Sequence, residues 1–388
     1  MSLDVLSSEA QLLLLAAGGA GNDARIGELA ARGIDWGKLG WIASRERAAP
    51  VLWERLQSVP GLKLPEEAAQ LRKVAMVSDF RMRHLESRLD DSLEALERAG
   101  VDALLLKGAA LAVLVYGSFS RRPMSDVDVL VRHGEAARAL PALLAAGWTS
   151  VESEGLEEFY RGHHHLPALE DARGTGVQLE LHTALFFEGH PFRLSPEDIW
   201  ARAERIDVRG HAAYVPSIHD QLLHLCLHFA WSHMMSIGGW RSFRDLNALL
   251  GTGRVKWPEF TRLALESRGG SCCYWTFRLA GELAGVQVPR EVLQALRPPL
   301  PELVLARLAR HFTYSLLPTE TLCPSVSVAY TMWRLGVRPG WSGHGTVRPW
   351  DRSDDLLVPV ESRKSGARRM AEHVRNLRGW GRYVRAII

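Results

Sequence analysis

The chain has 388 residues, enough for two or three domains with sizeable hydrophobic cores. Hydrophobic residues make up 47% and charged residues 23%, the ordinary composition of a soluble protein. A net charge of +3 is too small to indicate nucleic-acid binding by itself.

The sequence gives no sign of a targeting or membrane segment. Residues 1–15 lack a basic stretch and contain early acids, which argues against a signal peptide. No apolar run reaches the roughly 18 residues that span a bilayer. The cysteines form no C-x-x-C pair, which argues against a disulfide framework and a zinc ribbon. We therefore expect a reduced, cytoplasmic protein with no membrane span.

Residues 1–100 have a helical pattern. Apolar residues recur at three-to-four spacing between Trp36 and Leu56. A longer helical pattern runs from Glu66 to Ala99 and ends at Gly100, a plausible C-cap. It offers seven apolar side chains for burial: Val74, Val77, Phe80, Leu85, Leu89, Leu93 and Leu96. We expect a helical region packed on the domain that follows.

The most informative stretch is residues 104–131. A short apolar run predicts a strand that stops at Lys107-Gly108, and the small residues after it, to Tyr116, predict a helix. A polar, basic turn follows, and the alternating residues from Asp126 to Val131 predict a second strand. The sequence thus predicts a strand, a helix, a turn and a strand in that order.

Two acids share one face of this second strand. Residues two apart in a strand point the same way, so Asp126 and Asp128 lie together while the valines face the core. Close carboxylates repel each other unless a cation lies between them, and Mg²⁺ takes such oxygen ligands together with substrate phosphates. Two acids on a strand are often only a solvated face. The rarer order of motifs around them favours a metal site.

That order of motifs resembles the polymerase-beta-like nucleotidyltransferase superfamily. The nearest similarity is to a bacterial branch with the pattern L-K-G…R-P-x-S-D-h-D-h-L-V, matched by 106–108 and 122–131. Ala109 stands where the superfamily has Gly or Ser after the glycine, and the gap from Gly108 to Asp126 is longer than in many members. The resemblance implies an α+β fold, in which a small mixed sheet with helices is flanked by helical regions. We expect 1–100 and 217–388 to be helical and 101–216 to be the nucleotidyltransferase core.

A later strand offers a third acid. Residues 177–182 alternate strictly, which predicts a strand with one wet face. The resemblance implies that Glu180 is the third carboxylate and that Glu180-Leu181-His182 matches the branch's acid-x-His pattern. Alternatively, Glu180 makes only a cross-strand pair, and His164 or His182 merely orients a carboxylate. We expect His163 to His165 not to form a zinc site, because neighbours on a strand alternate faces.

Helical patterns return after Pro216, with Ser217 as a predicted N-cap. His224 and His228 are four apart on one helix face, but no H-E-x-x-H glutamate accompanies them, which favours core or interface histidines. The resemblance makes Arg241 and Asp245 candidates for nucleotide contact; alternatively they form an i,i+4 pair. The basic tail 361–388 is a solvated helix or touches an anionic partner.

The resemblance implies a reaction and a role for each motif residue. An acceptor oxygen attacks the α-phosphate of an NTP, with ATP as the expected donor, and pyrophosphate leaves. Asp126, Asp128 and Glu180 hold Mg²⁺ or Mn²⁺. The residues expected to contact the phosphates or nucleotide are Lys107, Gly108, Arg122, Ser125, His182 and Asp245.

Three functions fit the sequence. The first is NMP transfer to a small molecule or a peptide natural product. The second keeps the chemistry but modifies RNA, such as a tRNA end, or a protein side chain, as in toxin-type relatives; the modest charge makes nucleic acid the less favoured partner. The third is a non-catalytic nucleotide-binding scaffold, which has no need of three clustered acids.

Overall fold

The computed structural model describes residues 6–150, 162–316, 326–337 and 383. Within these residues seven strands form one mixed sheet in the order β3-β4-β5-β2-β1-β7-β6. The strands are β1 (Leu104–Leu105), β2 (Asp126–Leu130), β3 (Trp148–Ser150), β4 (Leu169–Asp171), β5 (Gln178–His182), β6 (Glu204–Val208) and β7 (His211–Val215). The α+β architecture expected from the sequence is confirmed.

The centre of the sheet is the parallel pair β2 and β5. Asp126 lies opposite Gln178 and Asp128 lies opposite Glu180. Partners in a parallel ladder point to the same side of the sheet. The pairing therefore places the D-x-D strand and the acid-x-His strand side by side, with their polar faces together.

Five helices precede the sheet. The longest, α5, packs beside the sheet strands and contributes Leu85, Leu89, Leu93 and Leu96 to the core, as predicted. The expected burial of Val77 and Phe80 is wrong, since they are 73% and 78% exposed and fall outside the helix's buried stripe. The five helices are α1 (Ser8–Leu15), α2 (Asp23–Ala31), α3 (Trp36–Arg45), α4 (Ala49–Ser58) and α5 (Ala69–Arg98).

Within the described ranges, three α-helices lie between strands of the sheet. They are α6 (Lys107–Leu111), which continues as a π-helical turn over Ala112–Tyr116, α7 (Ala136–Ala145) and α8 (Pro196–Ala201). One sheet face, with Val127, Val129 and Val131, packs on α5 and α7. The other face joins Leu104 and Leu130 to a second core, which the N-terminal and C-terminal helices share.

The C-terminal part is helical over the residues described. Ser217 caps α9, its hydroxyl accepting a hydrogen bond from the Asp220 amide at 3.2 Å, as predicted. A π-helical turn, His228–Ser232, follows α9. The helices are α9 (Ile218–Leu227), α10 (Gly239–Gly251), α11 (Trp257–Glu266), α12 (Gly270–Ala284), α13 (Arg290–Ala295), α14 (Glu302–Leu316) and α15 (Val326–Val337).

Three details differ from the sequence expectation. The segment from His163 to His165, which we expected to lie on a strand, forms only an isolated bridge between His165 and His182. The strand that pairs with β5 is β4, which begins at Leu169, and the β6–β7 hairpin was not anticipated. Of the basic tail, 361–388, only Tyr383 lies within the described residues.

No helix among the described residues is both long enough and apolar enough to cross a membrane.

Candidate functional site

Three carboxylates, Asp126, Asp128 and Glu180, lie on the polar face of β2 and β5 and line one cavity. Asp128 is 4% exposed, so its charge lies almost entirely away from water. Burial raises the pKa of Asp126, and the neighbouring charges of Asp128 and Glu180 raise it further. The three predicted acids therefore share one face of the sheet, where their negative charges repel one another and a nearby cation reduces the repulsion.

Part of that compensation comes from Lys107. Its Nζ donates to Asp128 Oδ1 at 2.6 Å and lies 3.9 Å from Glu180 Oε2. Although burial lowers the pKa of Lys107, these two carboxylates raise it overall, and Lys107 helps to hold the pKa of Asp128 well below its usual range despite burial. Lys107 begins α6 with a positive φ of 47°, a backbone conformation unusual for a non-glycine residue. The Lys107 ammonium group therefore contacts two of the acids. The resemblance had implied that Lys107 contacts the phosphates of the nucleotide.

His182 adds an imidazole to the cluster. It is fully buried, and its Nε2 lies 2.9 Å from Asp128 Oδ1 and 3.3 Å from Glu180 Oε2. Burial and Lys107 lower the pKa of His182, but its contacts with the two carboxylates raise it overall. Ligand atoms of Asp128, Glu180 and His182 all lie within 4.8 Å of one another. Two carboxylates and an imidazole form a donor set that fits Mn²⁺ and, through the oxygens, Mg²⁺.

The R-P-x-S turn packs directly on α6. A Cβ added to Gly108 would lie 3.2 Å from Met124 Sδ and 3.4 Å from Arg122 Nη1, so glycine allows this close approach. At the end of the turn, Ser125 Oγ donates to Asp126 Oδ1 at 2.9 Å. Gly108 and Ser125 both line the cavity that contains the acids, as their predicted roles require.

Arg122 is held by α10 through Asp245. Its Nε and Nη2 donate to the Asp245 carboxylate at 2.7–2.9 Å, and the Tyr116 hydroxyl donates to the same carboxylate at 2.9 Å. The alternative i,i+4 pair of Arg241 with Asp245 is absent from the ion pairs of the described residues. Asp245 therefore orients Arg122, the cation expected from the sequence to contact phosphate.

These groups line one cavity of about 350 Å³. Arg47, in the turn between α3 and α4, and Arg241, on α10, also line it. Neither guanidinium has a hydrogen bond or ion pair with any residue in the described ranges. Burial, and then the charge of Arg122, lowers the pKa of Arg241 to about 10; burial also lowers the pKa of Arg47. Positive charge without a protein partner in a cavity is compensated when an anion binds.

Five histidines line the same cavity: His164, His165, His224, His228 and His233. His224 is buried, as expected for a core histidine, and its pKa is lowered to about 3, mainly by burial. The expectation that alternation would separate the run from His163 to His165 is wrong, because this segment bends and does not form a strand. Ligand nitrogens of these three residues lie within 4.8 Å of one another.

Sequence reasoning missed Arg47 and His233. Both are single residues without a motif around them, in turns that are far from the acids along the chain. The positive φ of Arg47, 56°, marks the turn that separates α3 from α4, and no local pattern predicts this conformation for an arginine.

Comparison with known proteins gives a family match. Residues 32–285, from just before α3 to the end of α12, match the family model described as an uncharacterised nucleotidyltransferase. None of the curated proteins matches the chain significantly. The match includes the whole sheet, the three carboxylates and both cavity arginines. Because it extends over well over half of the chain, the protein belongs to this nucleotidyltransferase family, and its α+β core is the one that the motifs of 106–131 predicted.

Proposed function

We propose that this nucleotidyltransferase is a metal-dependent enzyme that transfers an NMP from an NTP, with ATP as the expected donor, to an acceptor oxygen. The acceptor would be a small molecule or a peptide natural product. The observation that carries the proposal is the composition of one cavity. Three clustered carboxylates line it together with two arginines that have no partner among the described residues. A metal–triphosphate complex would supply a cation for the carboxylates and negative phosphate oxygens for the arginines.

The carboxylates would hold the metal. Asp128, Glu180 and His182 have converging ligand atoms, and Asp126 adjoins them on β2. A divalent cation bound there would neutralise charge on the triphosphate and help to align it with the acceptor. Lys107 would remain against Asp128 and limit the negative charge of the cluster when the metal is absent.

The arginines would bind the phosphates. Arg47 and Arg241 are available to donate to phosphate oxygens, and guanidinium groups do this bidentately. Arg122 would add positive potential from the orientation that Asp245 gives it. In the reaction the acceptor oxygen forms a bond to the α-phosphorus while the bond to the pyrophosphate oxygen breaks. Glu180 is our candidate for receiving the acceptor proton, because its side chain is 22% exposed whereas that of Asp128 is 5% exposed.

Two other acceptors and a scaffold role are the alternatives. An RNA acceptor would bind mainly through phosphate contacts, so its affinity would fall steeply as salt rises, unlike that of a small neutral acceptor. A protein acceptor would be labelled covalently by an NTP that is radioactive at the α-phosphate. A non-catalytic scaffold would bind the NTP in this cavity without releasing pyrophosphate, so the transfer assay separates it from an enzyme. We also place the enzyme in a reducing cytoplasm, since the three described cysteines are unbonded and buried.

Calorimetric titration of each NTP, with and without Mg²⁺ or Mn²⁺, tests the donor site. The wild type is compared with Asp126→Asn/Asp128→Asn, which keeps side-chain shape, and with Asp102→Asn, which alters an exposed acid away from the cavity. We expect the wild type and Asp102→Asn to bind at least one NTP in a metal-dependent way, and the double variant not to bind it. Equal binding with and without metal, or by the double variant, would remove the basis of the proposal. Pyrophosphate release in the presence of candidate acceptors then tests transfer.

A further inference from the structure

The run from His163 to His165 forms a second cluster of metal-ligand atoms, separate from the carboxylates. We propose that these three histidines bind a transition-metal ion of the Zn²⁺ class. The proposal stands on the histidines alone and does not depend on the proposed nucleotidyl transfer.

Backbone geometry brings the three rings together. Gly162 has a φ of +81°, which favours glycine, and the chain then bends at His164 before His165 bridges to His182. As a result the ring centroids lie 4.5–4.6 Å apart in all three pairs. An extended strand would instead have placed the middle ring on the opposite side of the sheet.

The nitrogen atoms converge as a metal site requires. One ring nitrogen from each histidine lies within 4.8 Å of the other two. In a tetrahedral zinc site with Zn–N bonds of about 2.0–2.1 Å, ligand nitrogens are separated by roughly 3.4 Å. Small rotations of the side chains close this difference. The buried Nδ1 of His164 has no hydrogen-bond partner among the described residues and is available as a ligand atom.

The donor type distinguishes this cluster from its neighbour. Imidazole nitrogen favours Zn²⁺, Co²⁺, Ni²⁺ and Cu²⁺, whereas carboxylate oxygen favours Mg²⁺ and Mn²⁺. Burial lowers the pKa of His163 to about 4 with a contribution from His165, and burial also lowers the pKa of His164. Neutral imidazole is the form of histidine that binds a metal ion.

The cluster adjoins the proposed catalytic carboxylates. His165 Nε2 lies 4.0 Å from Glu180 Oε2, and the rings of His164 and His182 are 5.3 Å apart. His164 and His165 line the cavity, so a metal ion held by three histidines would have its remaining coordination position next to the cavity. Sites with three protein ligands and one open position are typical of zinc ions that bind a water or an oxygen ligand of a substrate.

Titration of the untagged, chelator-treated protein with Co²⁺, followed by its visible absorption bands, tests the site; competition with Zn²⁺ ranks the two ions. We expect one Co²⁺ per chain in the wild type, at least 100-fold weaker binding in His163→Asn/His164→Asn/His165→Asn, and at least 10-fold weaker binding in His164→Asn alone. The single variant keeps the test valid if the triple variant misfolds, which circular dichroism would reveal. His133→Asn, at an exposed histidine, serves as the matched control and should bind as the wild type does.

The Asp126→Asn/Asp128→Asn protein separates this site from the carboxylate site. It should lose metal-dependent NTP binding and keep the histidine-dependent Co²⁺ bands. No Co²⁺ bands in the wild type, or bands as strong as those of the wild type in both His164→Asn and the triple variant, would overturn the histidine site and leave the nucleotide site unaffected. Loss of the bands in the carboxylate variant would also overturn it, because the cobalt would then be held by the acids.

Discussion

Two arginines inside the cavity have guanidinium groups that make no hydrogen bond or ion pair with any of the described residues. Arg47 and Arg241 line the cavity, whereas Arg122 has a bidentate partner in Asp245. An unpaired charge away from water lowers the stability of the empty protein, and a bound anion removes that penalty. The charges of Arg47 and Arg241 therefore favour the binding of an anion and lower the stability of the empty protein.

Replacing Arg241 with Gln should change binding and stability in opposite directions. We expect NTP affinity to fall about 10- to 100-fold, the effect of losing one charge-assisted contact to phosphate. The free energy of unfolding of the empty protein should stay unchanged or rise, because a partly desolvated charge is removed. Calorimetry with an NTP and Mg²⁺ measures the first quantity, and urea unfolding without ligand measures the second.

Arg262→Gln is the matched control for this experiment, since Arg262 lies on the surface of α11 and pairs with Glu266. It should leave NTP affinity unchanged. If Arg241→Gln binds NTP as the wild type does, Arg241 has no part in phosphate binding.

Among the elements, α5 is fixed to the outer strands of the sheet by a buried ion pair. Arg88 is 1% exposed, and its Nε lies 3.2 Å from Asp171 Oδ1 at the end of β4. The guanidinium also donates to the Ala146 carbonyl at 2.9 Å and lies 4.6 Å from the centre of the Trp148 ring on β3. One side chain thus joins a helix to two strands and to the end of α7.

Arg88→Met should destabilise the protein by about 3 kcal/mol, because it leaves the buried Asp171 carboxylate without its guanidinium partner. The shape of the side chain is largely kept, so the loss reports on charge and hydrogen bonds. Urea unfolding followed by circular dichroism measures the change. Arg98→Met, on the exposed face of the same helix, should cost less than about 1 kcal/mol. Equal effects in the two variants would show that the buried pair is unimportant.

At the scale of the whole molecule, the helices before and after the sheet are one packed unit. The N-terminal and C-terminal helices share a core with one face of the sheet. Arg47 and Arg241 come from these two helical regions and line the cavity with the acids of the sheet. The family match over 32–285 spans all three parts. The domain limits at 100 and 216 stay a prediction.

The free energy of unfolding should depend on pH through a buried histidine in the C-terminal helices. His311, on α14, is 1% exposed and contacts the Tyr383 hydroxyl, and burial lowers its pKa to about 4. In the unfolded chain its pKa is about 6.5, so between pH 6.5 and 4 the unfolded state binds the proton more tightly. Stability is therefore complete above pH 6.5 and is lost as the pH falls toward 4, by about 3 kcal/mol for this group.

We expect the free energy of unfolding to depend less on pH in His311→Gln than in the wild type over this range. Urea unfolding at several pH values between 7.5 and 4 measures the slope. His133→Gln, at an exposed position, should keep the slope of the wild type. An unchanged slope in His311→Gln would contradict the assignment.

Local sequence determined the centre of the site. The alternation of 126–131 and 177–182 correctly predicted two strands, and the position of their acids predicted which side chains share a face. These predictions succeeded because period-two alternation is a property of neighbouring residues. The same applies to the Ser217 cap, which depends on residues three apart.

The tertiary structure alone decided which distant residues meet these acids. Arg47 comes from the helical region before the sheet and Arg241 from the one after it, and both line the cavity. Lys107 contacts Asp128 because β1 pairs antiparallel with β2, and no local pattern specifies that pairing. The clustering of the three histidines likewise depends on a bend where the pattern indicated a strand. The physical reason is that periodicity records which face of one element is buried. Contacts between elements depend instead on how several elements pack together.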